Sequence, residues 1–249
     1  MDIPKENILN LRIDAINLPF AINYLNEILS YKINGYICCI PIHSIFNSYK
    51  NPKLRNVFNT SILNTPDGMG VVWLLKLAGY KDVSRVYGPD LLLSTCKNFP
   101  TFRHYFLGGS TKSNLDLQKK LKEKIPNLEI VGHSSPSYTL DSLKISDDLK
   151  DEIIKCRPEI IWVGLGSPKQ ELFMYENYRY FPGSIMIGVG AAFDFLSGNK
   201  PQAPIWIQKS GFEWLFRLFS EPKRLWKRYL LGYPKFFFLL IRELILKKK

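Results

Sequence analysis

The chain contains no Asp-x-Asp sequence, the pair with which many nucleotide-sugar enzymes hold a divalent metal. Histidine is scarce at three residues, and the four cysteines (38, 39, 96 and 156) lack metal-ligand spacing, so a structural zinc site is excluded. Adjacent Cys38-Cys39 lie in an apolar, strand-like run, which fits buried thiols in a reducing cytoplasm. The opening MDIPKENILNLRID is charged and has no apolar stretch, arguing against a signal peptide. Long apolar runs are also missing: Phe236–Ile241 is closed by Arg242-Glu243, far short of the ~20 residues of a spanning helix. No internal repeat or low-complexity tract is visible, which excludes solenoid and disordered classes.

What is abundant is positive charge at one end. Residues 205–249 hold seven lysines and four arginines against three glutamates, +8 of the net +12 of this 249-residue chain. Trp206, Phe212, Trp214, Phe216, Phe219, Trp226, Tyr229, Tyr233 and Phe236-Phe237-Phe238 are interleaved with those cations. Cations beside an aromatic and leucine face suit an interfacial element, with rings in the acyl boundary and Lys or Arg at anionic headgroups. The pattern predicts a globular body at 1–204 and a basic, aromatic, membrane-facing helical appendage at 205–249. Nucleic acid is the other partner that a basic chain suggests. Here the charge is terminal, and no helix-turn-helix, ribonucleoprotein or zinc-finger signature is present, so no nucleic-acid partner is expected.

Within the body, short β-branched runs alternate with helical spacing. Tyr36–Ile40, His104–Leu107, Glu129–Val131, Ile160–Val163 and Ser184–Val189 read as strands. Pro19–Ser30, Gly70–Leu77, Pro89–Lys97, Thr111–Lys124, Ser146–Lys155 and Pro168–Tyr178 read as helices, with Leu115, Leu117, Leu121 and Ile125 as the apolar face of one and Pro89 and Pro168 as first-turn prolines. The alternation predicts an α/β fold, a Rossmann-like, mostly parallel sheet flanked by helices, with ligands at the carboxyl ends of its strands. Glycine turns stand there: Gly108-Gly109 after one strand, Gly164-x-Gly166 before Lys169-Gln170-Glu171, and Gly188-x-Gly190. Such turns let backbone N–H groups approach a phosphate, and three of them point to a phosphate-bearing ligand. A dinucleotide oxidoreductase is excluded, because Lys169 and Phe193 occupy the third small position and no acidic residue follows about 20 positions on.

In order, the chain carries Thr65-Pro66-Asp67-Gly68-Met69-Gly70, Arg85-Val86-Tyr87-Gly88-Pro89-Asp90, Phe106-Leu107-Gly108-Gly109 and Val163-Gly164-Leu165-Gly166-Ser167-Pro168-Lys169-Gln170-Glu171. Gly188-Val189-Gly190-Ala191-Ala192-Phe193-Asp194, Gly211-Phe212-Glu213-Trp214-Leu215-Phe216-Arg217 and Glu221-Pro222-Lys223-Arg224-Leu225 complete the series. The ordered combination, over about Asn10–Tyr233, resembles the WecG/TagA/CpsF family of bacterial glycosyltransferases. The resemblance implies transfer of a sugar, often N-acetylmannosamine or its uronic acid, from a UDP-sugar to a polyprenyl-diphosphate-linked sugar at the cytoplasmic face of the membrane. It further implies inversion at the anomeric carbon, no cofactor and no bound metal, in teichoic acid, common-antigen or capsule synthesis.

Inverting transfer needs a base for the acceptor hydroxyl and stabilisation of the departing diphosphate. The resemblance gives Asp67 the base role, although Pro-Asp-Gly is also good turn chemistry. Arg85 and Asp90 form either a structural ion pair or a donor contact, and Gln170 is assigned to the nucleotide-sugar. Glu171 suits the first turn of a helix, and Asp194 either caps or binds. Arg217, Arg224 and Arg228, spaced for one helix face, are a lipid-facing stripe or, as the resemblance implies, diphosphate ligands from an appendage that closes over the pocket. Lys247–Lys249 would then meet anionic lipid, and a resting homo-oligomer would mask the apolar face. One departure is Cys39-Ile40-Pro41-Ile42-His43, where family members frequently carry Thr-x-Asn, so the sugar contact there falls to His43 or is absent. The alternative function is a non-enzymatic, nucleotide-sensing, peripheral membrane-binding module, which would bind UDP without consuming a UDP-sugar.

Overall fold

The computed structural model describes residues 2–140 and 143–247. The chain opens with a hairpin, β1 (Lys5–Ile8) and β2 (Leu11–Asp14), then α1 (Leu18–Ser30), β3 (Gly35–Ile40), α2 (Ile42–Lys50), α3 (Pro52–Asn59) and β4 (Leu63–Pro66). Next come α4 (Met69–Leu77), α5 (Gly88–Asn98), β5 (His104–Gly108), α6 (Thr111–Lys124), β6 (Ile130–Ser134) and α7 (Asp147–Cys156). β7 (Ile160–Gly164), α8 (Lys169–Asn177), β8 (Ile185–Gly188) and α9 (Ala192–Leu196) complete the body. The C-terminal segment folds as α10 (Ile205–Lys209), α11 (Glu213–Ser220), α12 (Pro222–Trp226), a π-helical turn at Lys227–Leu231 and α13 (Gly232–Lys247).

Among the described residues, β3 to β8 form one parallel sheet in the order β4-β3-β8-β7-β5-β6. Tyr36, Cys38 and Ile40 of β3 pack on one face with Ile161 and Val163 of β7, whereas Ile37 and Cys39 pack on the other with Ile160 and Trp162. Both faces are covered, which is why these strands read as unbroken apolar runs. The fold is the α/β class expected, with the strands where the apolar runs lie. The four cysteines are free thiols, three buried and Cys156 half-buried.

Four features depart from the sequence reading. The β1–β2 hairpin turns through Leu9 and Asn10, both left-handed (φ 51° and 64°), without the Asn-Gly or Asp-Gly pair that announces such turns. Helices α2 and α3 escaped because α2 buries Ser44 and Ser48 beside Ile42 and Ile45, which dilutes its apolar period. In α6 the buried positions are Ser113, Asn114, Leu117 and Leu121; Leu115 is exposed. Pro89 stands in the first turn of α5, while Pro168 is the residue before α8.

The hairpin matters for the site. Asp14, fully buried on β2, accepts the Asn64 backbone N–H at 2.6 Å, and the Asn64 side chain donates to the carbonyls of Arg12 and Phe58 at 2.9 Å each. This network fixes β4 three residues before Asp67. On the C-terminal side, Phe236 of α13 is fully buried in the same core as Ile42 and Ile45, and Glu243 accepts the Leu9 N–H at 3.2 Å. The C-terminal segment is therefore packed into the core of the body. Phe236→Ala should lower unfolding free energy by about 3–5 kcal/mol, the usual cost of emptying a buried Phe site. Urea denaturation followed by far-UV circular dichroism would read this as one shifted transition; an unshifted midpoint would mean that α13 does not share the core.

Candidate active site

Strand order places the crevice. β3 leads outward to the edge strand β4, the chain then crosses to β5, and β5 leads outward to β6 at the other edge, so the chain leaves β3 and β5 in opposite directions with β8 and β7 filling the gap between them. Ligand sites of open α/β sheets lie at the carboxyl ends of strands at such a point. A cavity of about 460 Å³ opens there, walled by Cys39 near the end of β3 and His43 after it, Asp67 after β4, Gly166 and Gln170 after β7, and Gly190 after β8. Its roof comes from the C-terminal segment and includes Glu213, Arg217, Arg224, Arg228, Tyr229 and Tyr233.

Asp67 leaves β4 with its N–H donated to the Ile40 carbonyl at 3.1 Å. Gly68 follows with φ 99°, a conformation that lets α4 start at once. Burial pushes the Asp67 carboxyl up to about 7, the Glu213 carboxylate adds to this, and Arg217 and Arg85 pull the other way. His43 is held well below the ordinary imidazole range by burial and then by Arg228, Arg217 and Arg224, so it stands neutral among three guanidiniums. Its Nε2 has no hydrogen-bond partner, nor do the Tyr87 hydroxyl and Arg217 Nε, all buried. Orphaned polar atoms converging on one cavity are groups awaiting a ligand.

The arginines differ in how far they are neutralised. Arg224 makes a two-pronged pair with Glu221 (2.7 and 2.8 Å). Arg217 and Arg228 have no carboxylate within ion-pair distance among the described residues; Arg217 lies over the Phe195 ring at 5.4 Å. The three do not share one helix, because α11 stops at Ser220, Pro222 starts α12, and Arg228 sits in the π-helical turn. Across the break at Glu221 all three still line the same cavity. Net positive charge facing an enclosed space selects an anion, and planar guanidiniums suit phosphate oxygens.

The remaining expected residues fall into two groups. Gly166, Gln170 and Gly190 line the cavity. Gln170 Oε1 accepts the N–H groups of both Gly166 (3.2 Å) and Gly190 (2.9 Å), so these two glycine-turn donors are already used in tying the loops together. Its Nε2 donates to Glu171 Oε1 at 3.0 Å; Glu171 is fully buried, and burial pushes its carboxyl up to about 7.

Outside the lining stand Gly108, Gly109 and Gly164, where a side chain at Gly108 would strike the Gly164 carbonyl and one at Gly164 the Phe193 ring. These glycines serve close packing of two loops. Lys169 donates to the Tyr138 carbonyl at 3.3 Å, away from the cavity. Asp194 accepts from Ser113 at 2.8 Å and pairs with Lys200 at 2.9 Å. Arg85 pairs with Asp90 (3.3 Å), but also with Glu213 (2.7 Å) and the Gln208 side chain, and its guanidinium covers the Tyr87 ring. It fastens the roof to the body. Glu213 and Gln208 leave no signal in the sequence because their partner Arg85 is more than 120 residues away. Among the described residues no group of three or more His, Cys, Asp or Glu converges on a metal-sized site, and Lys248 and Lys249 lie outside them.

A parallel α/β sheet whose crevice sets the Asp67 and Glu213 carboxylates against guanidiniums without a carboxylate partner has the electrostatics of a site for anionic ligands. Residues 6–249 match the glycosyl transferase WecG/TagA/CpsF family, and the chain belongs to it. The protein is thus a glycosyltransferase. It is 32% identical over 242 residues, 96% of its own length and 91% of the relative's, to an N-acetylglucosaminyldiphosphoundecaprenol N-acetyl-beta-D-mannosaminyltransferase of Bacillus subtilis (strain 168). An enzyme with the same description from Bacillus spizizenii (strain ATCC 23059 / NRRL B-14472 / W23) is 32% identical over 193 residues, covering 77% of this chain and 72% of that one.

The two raised carboxyls have a consequence for stability. Each binds its proton more tightly folded than unfolded, so the contribution is full below the ordinary carboxylate range and is lost as pH rises through about 7. Glu171→Gln removes one of them, at most about 1.4 kcal/mol per pH unit. Melting temperatures from about pH 5.5 to about pH 8.5 should fall less steeply for the variant than for the native chain. Parallel profiles would mean that Glu171 ionises normally.

Proposed function

We propose that the protein is an inverting, metal-independent glycosyltransferase. It moves a sugar, N-acetylmannosamine or a relative of it, from a UDP-sugar to a polyprenyl-diphosphate-linked sugar in cell-surface polysaccharide or teichoic acid synthesis. The observation that carries this reading is the placement of Asp67 in the same cavity as Arg217 and Arg228, two guanidiniums without a carboxylate partner. The descriptions of the two relatives support the acceptor class.

In this reading Asp67 accepts the proton of the acceptor hydroxyl as its oxygen attacks the anomeric carbon. The bond from that carbon to the UDP oxygen breaks on the opposite face, and the configuration inverts. Negative charge then grows on the departing diphosphate, where Arg217, Arg228 and, through its free edge, Arg224 meet it. A base near 7 is well matched to this task, since it is ionised at neutral pH yet still basic enough to take a proton. His43, neutral with a free Nε2, is the polar group at the position where the family frequently has Thr-x-Asn, and we assign it to the sugar. Gln170 acts by holding the two loops that shape the donor pocket.

The enzyme is proposed to act at the cytoplasmic face of the membrane as a peripheral protein. No helix among the described residues is long and apolar enough to cross a bilayer. Trp206, Phe219 and Phe238 of the C-terminal segment are exposed beside its lysines, a surface suited to anionic lipid.

Two measurements test the chemistry. Calorimetric titration with UDP in excess EDTA should give saturable binding, weakened in Arg217→Ala; absence of binding, or turnover strictly dependent on an added divalent ion, overturns the proposal. Asp67→Asn keeps shape and removes the proton acceptor, so kcat should fall by about 10²–10⁴ with donor affinity nearly unchanged. In the native enzyme kcat/KM should rise with pH through about 7, because below it Asp67 carries a proton. A variant retaining more than about a third of native turnover would return Asp67 to a turn-forming role, far outside the range expected for a lost base.

A further inference from the structure

Helix α4 leads directly away from Asp67, and its sequence MGVVWLLKL carries one charge, Lys76. Val71, Val72 and Leu75 fill the core beneath it. A helix that is apolar on every side is ordinarily covered on every side, yet here Trp73 is 48% exposed and Leu77 85% exposed. An exposed patch of large apolar side chains marks a contact surface. These residues are also part of the cavity: Met69, Trp73, Leu74 and Leu77 line it from α4, and Phe237 lines it from α13. Trp73 is held in place from across the crevice, because its ring sits against Gly211 with no room for a Cβ there.

One continuous cavity thus has two chemistries. Near Asp67 it presents Arg217, Arg224 and Arg228; along α4 it presents an apolar wall, with the Trp73 indole N–H its one side-chain donor, that runs for roughly 12 Å at 1.5 Å per residue. A nucleoside diphosphate sugar could stack its base on Trp73 but has no hydrocarbon to place against Leu77 and Phe237. A bilayer would cover an outer face, and leaves unexplained why the same residues line the reaction cavity. An amphiphile with an anionic diphosphate and a long hydrocarbon chain satisfies both parts at once. We propose that the outer face of α4, with Trp73, Leu77 and the facing Phe237, is the binding track for the polyprenyl chain of the lipid acceptor. This rests on the acceptor class proposed above and adds where its chain lies.

The test compares acceptors that share the sugar diphosphate and differ in the chain, one isoprene unit against a long polyprenyl chain, in detergent micelles. Leu77 is almost wholly exposed, so Leu77→Asn should fold and melt as the native protein does. The track predicts that the preference for the long chain, as a ratio of kcat/KM values, falls roughly tenfold in Leu77→Asn and is retained in Leu77→Met. An unchanged ratio in Leu77→Asn overturns the track. Weaker sedimentation with phosphatidylglycerol vesicles, with the ratio preserved, would make α4 a membrane contact and also overturns it. Failure of the native enzyme to use either acceptor removes the acceptor class itself, a result distinct from loss of chain preference alone.

Discussion

The guanidinium of Arg85 joins parts of the chain that are 128 residues apart. It holds Glu213 at the start of α11 and the Gln208 side chain on α10, while also pairing with Asp90 and lying over Tyr87. Five donors in a planar fork can meet two carboxylates and an amide together, which the compact ammonium of a lysine could not do with the same geometry. Everything in the roof follows from this fastening. With α10 and α11 fixed over the strand ends, the turn at Glu221 can direct Arg217, Arg224 and Arg228 into one cavity. The bond has an electrostatic role too. Glu213 raises the Asp67 carboxyl, and its pairing with Arg85 moderates that effect while keeping the carboxylate in place.

Inside the cavity, burial and charge act in opposite senses on different groups. Arginines alone would hold Asp67 strongly ionised. Burial is the larger effect and Glu213 adds to it, so the carboxyl comes to rest near neutrality. The same enclosure keeps His43 from adding another positive charge. Arg217 and Arg228 remain charged and incompletely paired, and burial disfavours Arg228 in that state. A partly desolvated guanidinium without a counter-ion is costly in the folded protein. An anionic group such as the diphosphate of the proposed donor would relieve that cost.

Much of the architecture was legible in the sequence because the sheet is buried on both faces. Runs such as Ile160–Val163 and Tyr36–Ile40 are apolar throughout, and glycines mark their carboxyl ends. The function of each glycine was not legible. Gly166 and Gly190 line the cavity, yet their N–H groups go to Gln170, and Gly108 and Gly164 are small because two loops meet there. A glycine reports a close approach without naming what approaches. The arginine spacing suggested one helical face, which the break at Glu221-Pro222 rules out; the three converge across a non-helical residue, which no local period encodes. Glu213 and Gln208 were invisible for a related reason, since a long-range ion pair leaves no trace in the spacing of either partner.

The C-terminal segment is two-sided, and its two sides cannot move independently. Phe236 is locked in the core while the adjacent Phe238 is exposed, and Phe237 between them borders the cavity. Successive residues on a helix point about 100° apart, so this one turn of α13 addresses core, cavity and exterior together. Any surface that receives the exposed aromatic side therefore fixes the direction in which the cavity opens. Under the proposed function, with an acceptor whose hydrocarbon lies in a bilayer, that coupling would hold Arg217, Arg224 and Arg228 at a set depth. The attachment of α13 to the core through Phe236 would then serve the proposed chemistry as directly as the arginines do.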